Sequence, residues 1–262
     1  MNNVVYTISA RGKKTKQPVE NYLKTHFPNI PISKIDSIFG FVEKSPLYSG
    51  RPFLFRQISD RDYSFLQDHN IGLRIPFTNH YCSENDYKKT RPILEKYHKK
   101  GNSLIITNDE LIQRIRKDFP LYRIEASILK EIDSIEKINK ALDLYDTIVL
   151  PMNVNKNTSL LEKIEQKDRI TLFGNAGCAL TCPNRICYDY ISKRNKVLAN
   201  TNLIFRSIYY YYSFIIRRKW CMHKIKPRKL HGIKDFDIDK YYEMGFTRFK
   251  MLREHSGRKT GY

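Results

Sequence analysis

Cys178, Cys182 and Cys187 fall within one short stretch, ITLFGNAGCALTCPNRIC over residues 170–187. A short apolar run there ends in Gly174-Asn175-Ala176-Gly177, and small residues beside a thiol let the backbone turn tightly and come close to a ligand. Cys178-x3-Cys182 sets two thiols about one helical turn apart, on one side if the segment is helical. Cys187 follows five residues later, and Cys221, in RRKWCMHKIKP, is the fourth candidate. Thiolates that converge from a loop and a distant segment coordinate a metal or an iron–sulfur cluster. Nearby cations (Arg185, Arg217, Arg218, Lys219) would ease an anionic cluster. The spacing is neither paired Cys-x-x-Cys nor the three-cysteine pattern of radical enzymes that use S-adenosylmethionine. Iron–sulfur and structural zinc both remain open, as does the reading of some of these thiols as small buried hydrophobes. His223 could replace a cysteine as ligand. Cys82 stands apart as a buried thiol that follows the end of a strand and could face the same site.

Five cysteines among 262 residues, four of them between positions 178 and 221, do not resemble a secreted disulfide framework. No basic start followed by an apolar core opens the chain, and its most apolar late run, 203–216, is too short and too polar to span a bilayer core of about 30 Å. A soluble, cytoplasmic protein without membrane association is expected. A formal charge of +20 attracts polyanions such as RNA and does not bear on fold. Residues 193–230 concentrate Lys and Arg around SIYYYYSFII, either a platform on which bases stack or a basic helix whose Tyr and Ile face the protein interior. The sequence sets no oligomeric state.

The elements that must position these groups alternate. Strands are expected at 4–8, 37–41, 52–55, 72–77, 103–106, 122–126, 147–150, 170–173 and 246–251. Helices are expected at 58–70, 83–100, 109–118 and 131–145, and a further one opened by a Ser159-x-x-Glu162 capping box. A strand–helix repeat every 20–30 residues argues for right-handed βαβ units and a parallel sheet. The pattern predicts one domain over 1–262, a TIM-like (β/α)8 barrel of about eight strands, with an open doubly wound sheet as the alternative. The pattern leaves open whether residues 1–50 complete the barrel or cap it, so irregularity is expected on that side. No Gly-x-Gly-x-x-Gly follows any strand, so nothing supports a dinucleotide fold.

Five consecutive strand candidates end in a small polar residue: Asn79, Asn108, Ser127, Asn153 and Asn175. In a parallel barrel these rim the face where active sites sit. Amides there can read a polar substrate, and the same residues serve equally as ordinary caps and loop formers.

The run Asn175-Ala176-Gly177-Cys178 through Cys182-Pro183-Asn184-Arg185 resembles the Asn-x-Gly-Cys-x3-Cys-Pro-x-Arg segment of peptidase family U32, the collagenase-like group. The late segment with Tyr241, Gly245, Phe249, Lys250 and Arg253 is similar to that family's Phe-Lys-x-x-Arg strand. Trp220-Cys221 and Pro227 are similar to the region where a further cysteine sits. The resemblance spans about residues 50–255. It implies a TIM-like barrel whose cysteines (here Cys178 and Cys182, with Cys187 and Cys221) bind an iron–sulfur cluster. It also implies relatives that carry out oxygen-independent hydroxylation of RNA bases or of a quinone precursor. Lys250 and Arg253 would offer positive charge to an anionic substrate. No Ser/His/Asp or zinc-protease motif supports the historical peptidase label. Two functions follow from the sequence: an enzyme of the U32-like kind, or a nucleic-acid-binding protein whose cysteines hold structural zinc. A catalytically degenerate barrel is a third.

Overall fold

The computed structural model describes residues 3–177, 180, 186–200 and 234–252; for Ile186, Cys187 and Lys234 it describes the backbone alone. Cys178, Cys182, Cys221, His223, Arg253 and residues 201–230 of the basic segment lie outside the described residues.

Eight parallel strands close into a barrel, and a helix of the described chain follows most of them. In chain order these are β1 (Val5–Ser9), α1 (Val19–His26), β2 (Ile35–Phe39), α2 (Asp60–Asp68), β3 (Gly72–Phe77), α3 (Glu84–Lys96), β4 (Ser103–Ile106) and α4 (Glu110–Asp118). Then come β5 (Arg123–Ala126), α5 (Ile135–Leu142), β6 (Thr147–Val149), α6 (Thr158–Glu162) and β7 (Ile170–Phe173). After β8 (Asn175–Ala176) and α7 (Ile186–Asn200) follow β9 (Lys234–Asp235), α8 (Ile238–Glu243) and β10 (Arg248–Met251). Strand β10 lies between β7 and β1, while β8 and β9 form a separate antiparallel ribbon. The N-terminal fifty residues therefore complete the barrel, and β1 pairs with both β10 and β2. The expected irregularity on this side is a register shift between Tyr6 and Thr7.

Alternation along each strand sorts the side chains. Leu73, Ile75, Leu104, Ile106, Ile124, Ile148, Ile170, Leu172 and Phe249 are buried in the large core shared with the helices. Residues of the other parity face the axis, and many of these are polar: Thr7, Ser37, Arg74, Glu125, Thr147, Thr171 and Lys250, all buried. Thr7 and Ser37 share a hydrogen bond of 3.2 Å. A smaller core of Val149, Met152, Phe173, Ala176 and Leu252 lies at the C-terminal end, with Leu180 packed against it.

Three local expectations need correction. Residues 52–55 form no strand: Pro52 lacks the N–H a ladder needs, and the Phe53 N–H donates to Asn195 Oδ1 at 2.9 Å. The helix expected from 131 begins at Ile135, because Glu131 is left-handed (φ 51°) and Ser134 caps the helix. Asn157, rather than Ser159, caps α6, accepting from the Leu160 N–H at 3.1 Å. Helices α2 and α3 open with true capping boxes, Ser59 with Asp62 and Ser83 with Asp86. The ribbon and α8 had no counterpart in the pattern, since two-residue strands and a six-residue helix show too little periodicity; α7 meets the basic helix weighed for 193–230 over residues 193–200.

Candidate functional site at the barrel mouth

Each rim asparagine has a definite place. Asn79 is buried, its amide donating to the carbonyls of Pro46 (2.8 Å) and Ser192 (2.9 Å) and its oxygen accepting from the Tyr81 N–H (2.9 Å). Asn108 Oδ1 accepts from the Glu110 N–H at the start of α4. Ser127 Oγ accepts from the Leu129 N–H. Asn153 is exposed, and Asn155, two residues on, instead donates to the Phe173 carbonyl at 2.7 Å. Asn175 is fully buried and clasps the backbone of Leu252, donating to its oxygen (3.0 Å) and accepting from its N–H (2.6 Å). These groups shape the mouth by tying loop to strand. Replacing Asn175 with alanine leaves the buried N–H and C=O of Leu252 without that partner, so it should cost about 2–3 kcal/mol, read as the urea midpoint of the full-length variant.

Helix α7 forms one wall of the mouth. Ser192 Oγ and Ser49 Oγ are 2.6 Å apart, Asn195 donates to the carbonyls of Tyr48 (3.1 Å) and Arg51 (2.8 Å), and Lys196 pairs with Asp86 at 2.7 Å. The backbone of Cys187 lies in the first turn of this helix. Ser49 and Asn195 escaped the sequence reading because nothing in their spacing marks contacts across more than a hundred residues, and Asn155 because its bond to Phe173 runs from loop to strand.

The group with chemistry in reserve is Lys250. It sits on β10 opposite Thr7 of β1 and Phe173 of β7, its side chain turned to the axis. It is only 5% exposed. Its Nζ lies 4.2 Å from the ring centre of Phe39 and 6.0 Å from that of Phe173. Among the described residues it has no ion pair and no side-chain hydrogen bond. Burial lowers the amine to about 8, Glu125 pulls the other way, and the fields of Arg74 and Arg51 lower it further. The same Phe39 ring carries the Arg51 guanidinium at 5.9 Å, and Arg51 also donates to Gln57 Oε1 at 2.5 Å. Two cations thus share one aromatic platform. An amine in this setting can attract an anionic group as ammonium, or take a proton as free amine near pH 8.

As to a metal, no cluster of three His, Cys, Asp or Glu side chains is present among the described residues. Cys82 is half-buried, and burial, then Asp86, pushes its thiol up to about 11. The described chain reaches Gly177 directly after β8, and Leu180 packs on the core at the mouth.

No family model matches the chain, and no curated protein does. Its fold is similar to that of a solved structure, the U32 peptidase Mk0906, with a TM-score of 0.60 over 97% of this chain and 94% of that one, at 11% identity. Likeness at that identity speaks to architecture: the chain is a closed (β/α)8 barrel of the kind seen in the U32 peptidase Mk0906.

Proposed function

We propose that this chain is a U32-like barrel enzyme that binds an anionic substrate at its C-terminal mouth. The observation that carries the reading is Lys250, a cation buried on an aromatic ring with no carboxylate within ion-pairing distance among the described residues. A buried charge without a partner is costly, and a ligand carboxylate, phosphate or enolate would relieve that cost. Arg253, three residues on, is the second candidate cation.

Cys178, Cys182, Cys187 and Cys221 would hold an iron–sulfur cluster, which supplies electron transfer when bound. The support is the donor chemistry, the resemblance around 175–185, and the packing of Leu180, which lies between Cys178 and Cys182, on the core of the mouth. The modification would be an oxygen-independent hydroxylation, its oxygen atom and two-electron acceptor supplied by a separate oxygenated co-substrate, or a related change to RNA or to a small anionic molecule. The basic surface favours encounter with either. No helix among the described residues is long and apolar enough to cross a membrane.

Purification without oxygen tests this. The expected product is brown, with absorbance near about 400 nm and iron and sulfide in matching amounts, and the colour is lost in the Cys178→Ala/Cys182→Ala variant. A colourless protein containing zinc would overturn the reading in favour of a nucleic-acid-binding protein with a structural metal. A colourless, metal-free, folded protein would overturn both.

A further inference from the structure

At the opposite, N-terminal end of the barrel lies a cleft of about 130 Å³ lined by Asp36, Arg74, Ser103 and Arg123 among others. Gly72 and Gly101 also line it, packed so closely that a Cβ on Gly72 would lie 2.3 Å from the carbonyl oxygen of Gly101. Arg74 is buried and bridges two carboxylates, donating through Nη2 to Asp36 at 2.8 Å and through Nη1 to Glu125. Arg248 stands 3.7 Å from the other oxygen of Asp36 and donates to the Asp168 carbonyl at 3.0 Å. Arg123 is exposed, and its guanidinium has neither ion pair nor hydrogen bond among the described residues.

Three guanidiniums thus surround two carboxylates, Asp36 and Glu125, leaving one positive charge in excess. Two buried donors, Arg74 Nε and Arg248 Nη1, lack a hydrogen-bond partner among the described residues. The cations also repel each other: besides burial, Arg123 and Arg74 lower the Arg248 guanidinium. The cleft itself is lined by two of these cations, Arg74 and Arg123, and by one carboxylate, Asp36, so surplus positive charge meets open volume there. Glu125 Oε1 is unpartnered as well among the described residues, so the weight falls on the exposed, unpaired Arg123 beside Arg74 in an open cleft.

The geometry points to an anion site here: the cleft binds a compact oxyanion of the phosphate or sulfate class through Arg123 and Arg74, with the Ser103 hydroxyl beside them. Planar guanidinium forks match such oxygens two at a time. The volume is well below the roughly 300 Å³ at which pockets for drug-sized ligands begin, so the bound group is a free ion or the terminal phosphate of a molecule that extends outward. This site is independent of the mouth and of the proposed function.

Calorimetric titration of the full chain with inorganic phosphate, at ionic strength held constant with chloride, tests it. Glycerol 3-phosphate and sulfate form parallel arms. Saturable binding is expected. It should weaken about tenfold or more in Arg123→Gln, where a charge-assisted pair is lost, and less in Arg123→Lys. Because Arg123 is exposed, both variants should fold. The surface control Arg116→Gln should bind as the parent does, and Lys250→Met should keep the saturable phase that Arg123→Gln loses. Tighter binding of glycerol 3-phosphate would identify a phosphomonoester as the ligand, and equal or weaker binding a free ion. Absence of saturation, or equal binding by Arg123→Gln, would overturn the site while leaving the mouth untouched.

Discussion

Lys250→Met should make the protein more stable, by about 3 kcal/mol at pH 7, and abolish anion binding at the mouth. Holding an amine at about 8 instead of 10.5 costs the fold that amount wherever both folded and unfolded chains carry the proton, which is below pH 8. Methionine keeps the apolar stem against Phe39 and Phe173 and removes the charge. The sign of the pH effect follows. Between pH 8 and 10.5 the unfolded chain binds a proton that the folded chain has released, so stability of the parent rises across that window. The variant lacks this rise, and the two should converge near pH 10.5. Urea unfolding at pH 7 and at pH 10.5 measures both. A parent more stable than the variant at pH 7 would mean that the ammonium has a partner in the folded protein. A residue that lowers stability where it stands is the pattern expected of a functional group.

Asp62→Ala should be among the most destabilising single changes in the described chain, costing about 3–5 kcal/mol. Its carboxylate is buried and accepts from Lys13 Nζ (2.6 Å), the Val19 N–H (2.7 Å), the Ser59 N–H (2.8 Å) and Ser59 Oγ (2.7 Å). One side chain therefore closes the capping box of α2 and supplies the acceptor for the first turn of α1, whose own cap position, Pro18, offers none. Lys13 is fully buried, and without Asp62 its ammonium keeps, among the described residues, only carbonyl partners, Gln57 at 2.9 Å and Lys14 at 3.4 Å. Adding Lys13→Met to Asp62→Ala should restore part of the loss, because the stranded charge is then gone. A loss under about 1 kcal/mol for the single variant, within the range of surface pairs, would show that the pair is hydrated.

How far the sequence spoke depended on range. Strands β3, β4 and β7 are legible to the residue because a strand buried on both faces is a short apolar run between breakers. The start of α3 was legible from Ser83, a local cap. The segment between β2 and α2 was not: Gln57 Oε1 holds the Phe41 N–H, and Asn195 holds Phe53. Neither link follows from spacing. The rim asparagines could be placed at strand ends, but Asn79 and Asn175 bond residues more than 70 positions away, at Ser192 and Leu252. A signal for the interior did exist. Arg74 in GLRIPF and Glu125 in RIEA interrupt apolar runs, and strand parity turns both to the axis, where they pair. Lys250 could be named from its segment, while its burial on Phe39 required the closed barrel. The cysteine proposal lies outside the described residues, apart from the backbone of Cys187, and stands on chemistry and resemblance.

The most direct measurement is the titration of the Lys250 amine itself, followed by NMR in protein carrying ¹³Cε-labelled lysine, with the signal assigned by its absence in Lys250→Met. The midpoint should lie near 8 and move upward when an anionic ligand occupies the mouth. A midpoint at or above the ordinary 10.5 would show a lysine already paired within the protein, and the anion-binding mouth would be ruled out.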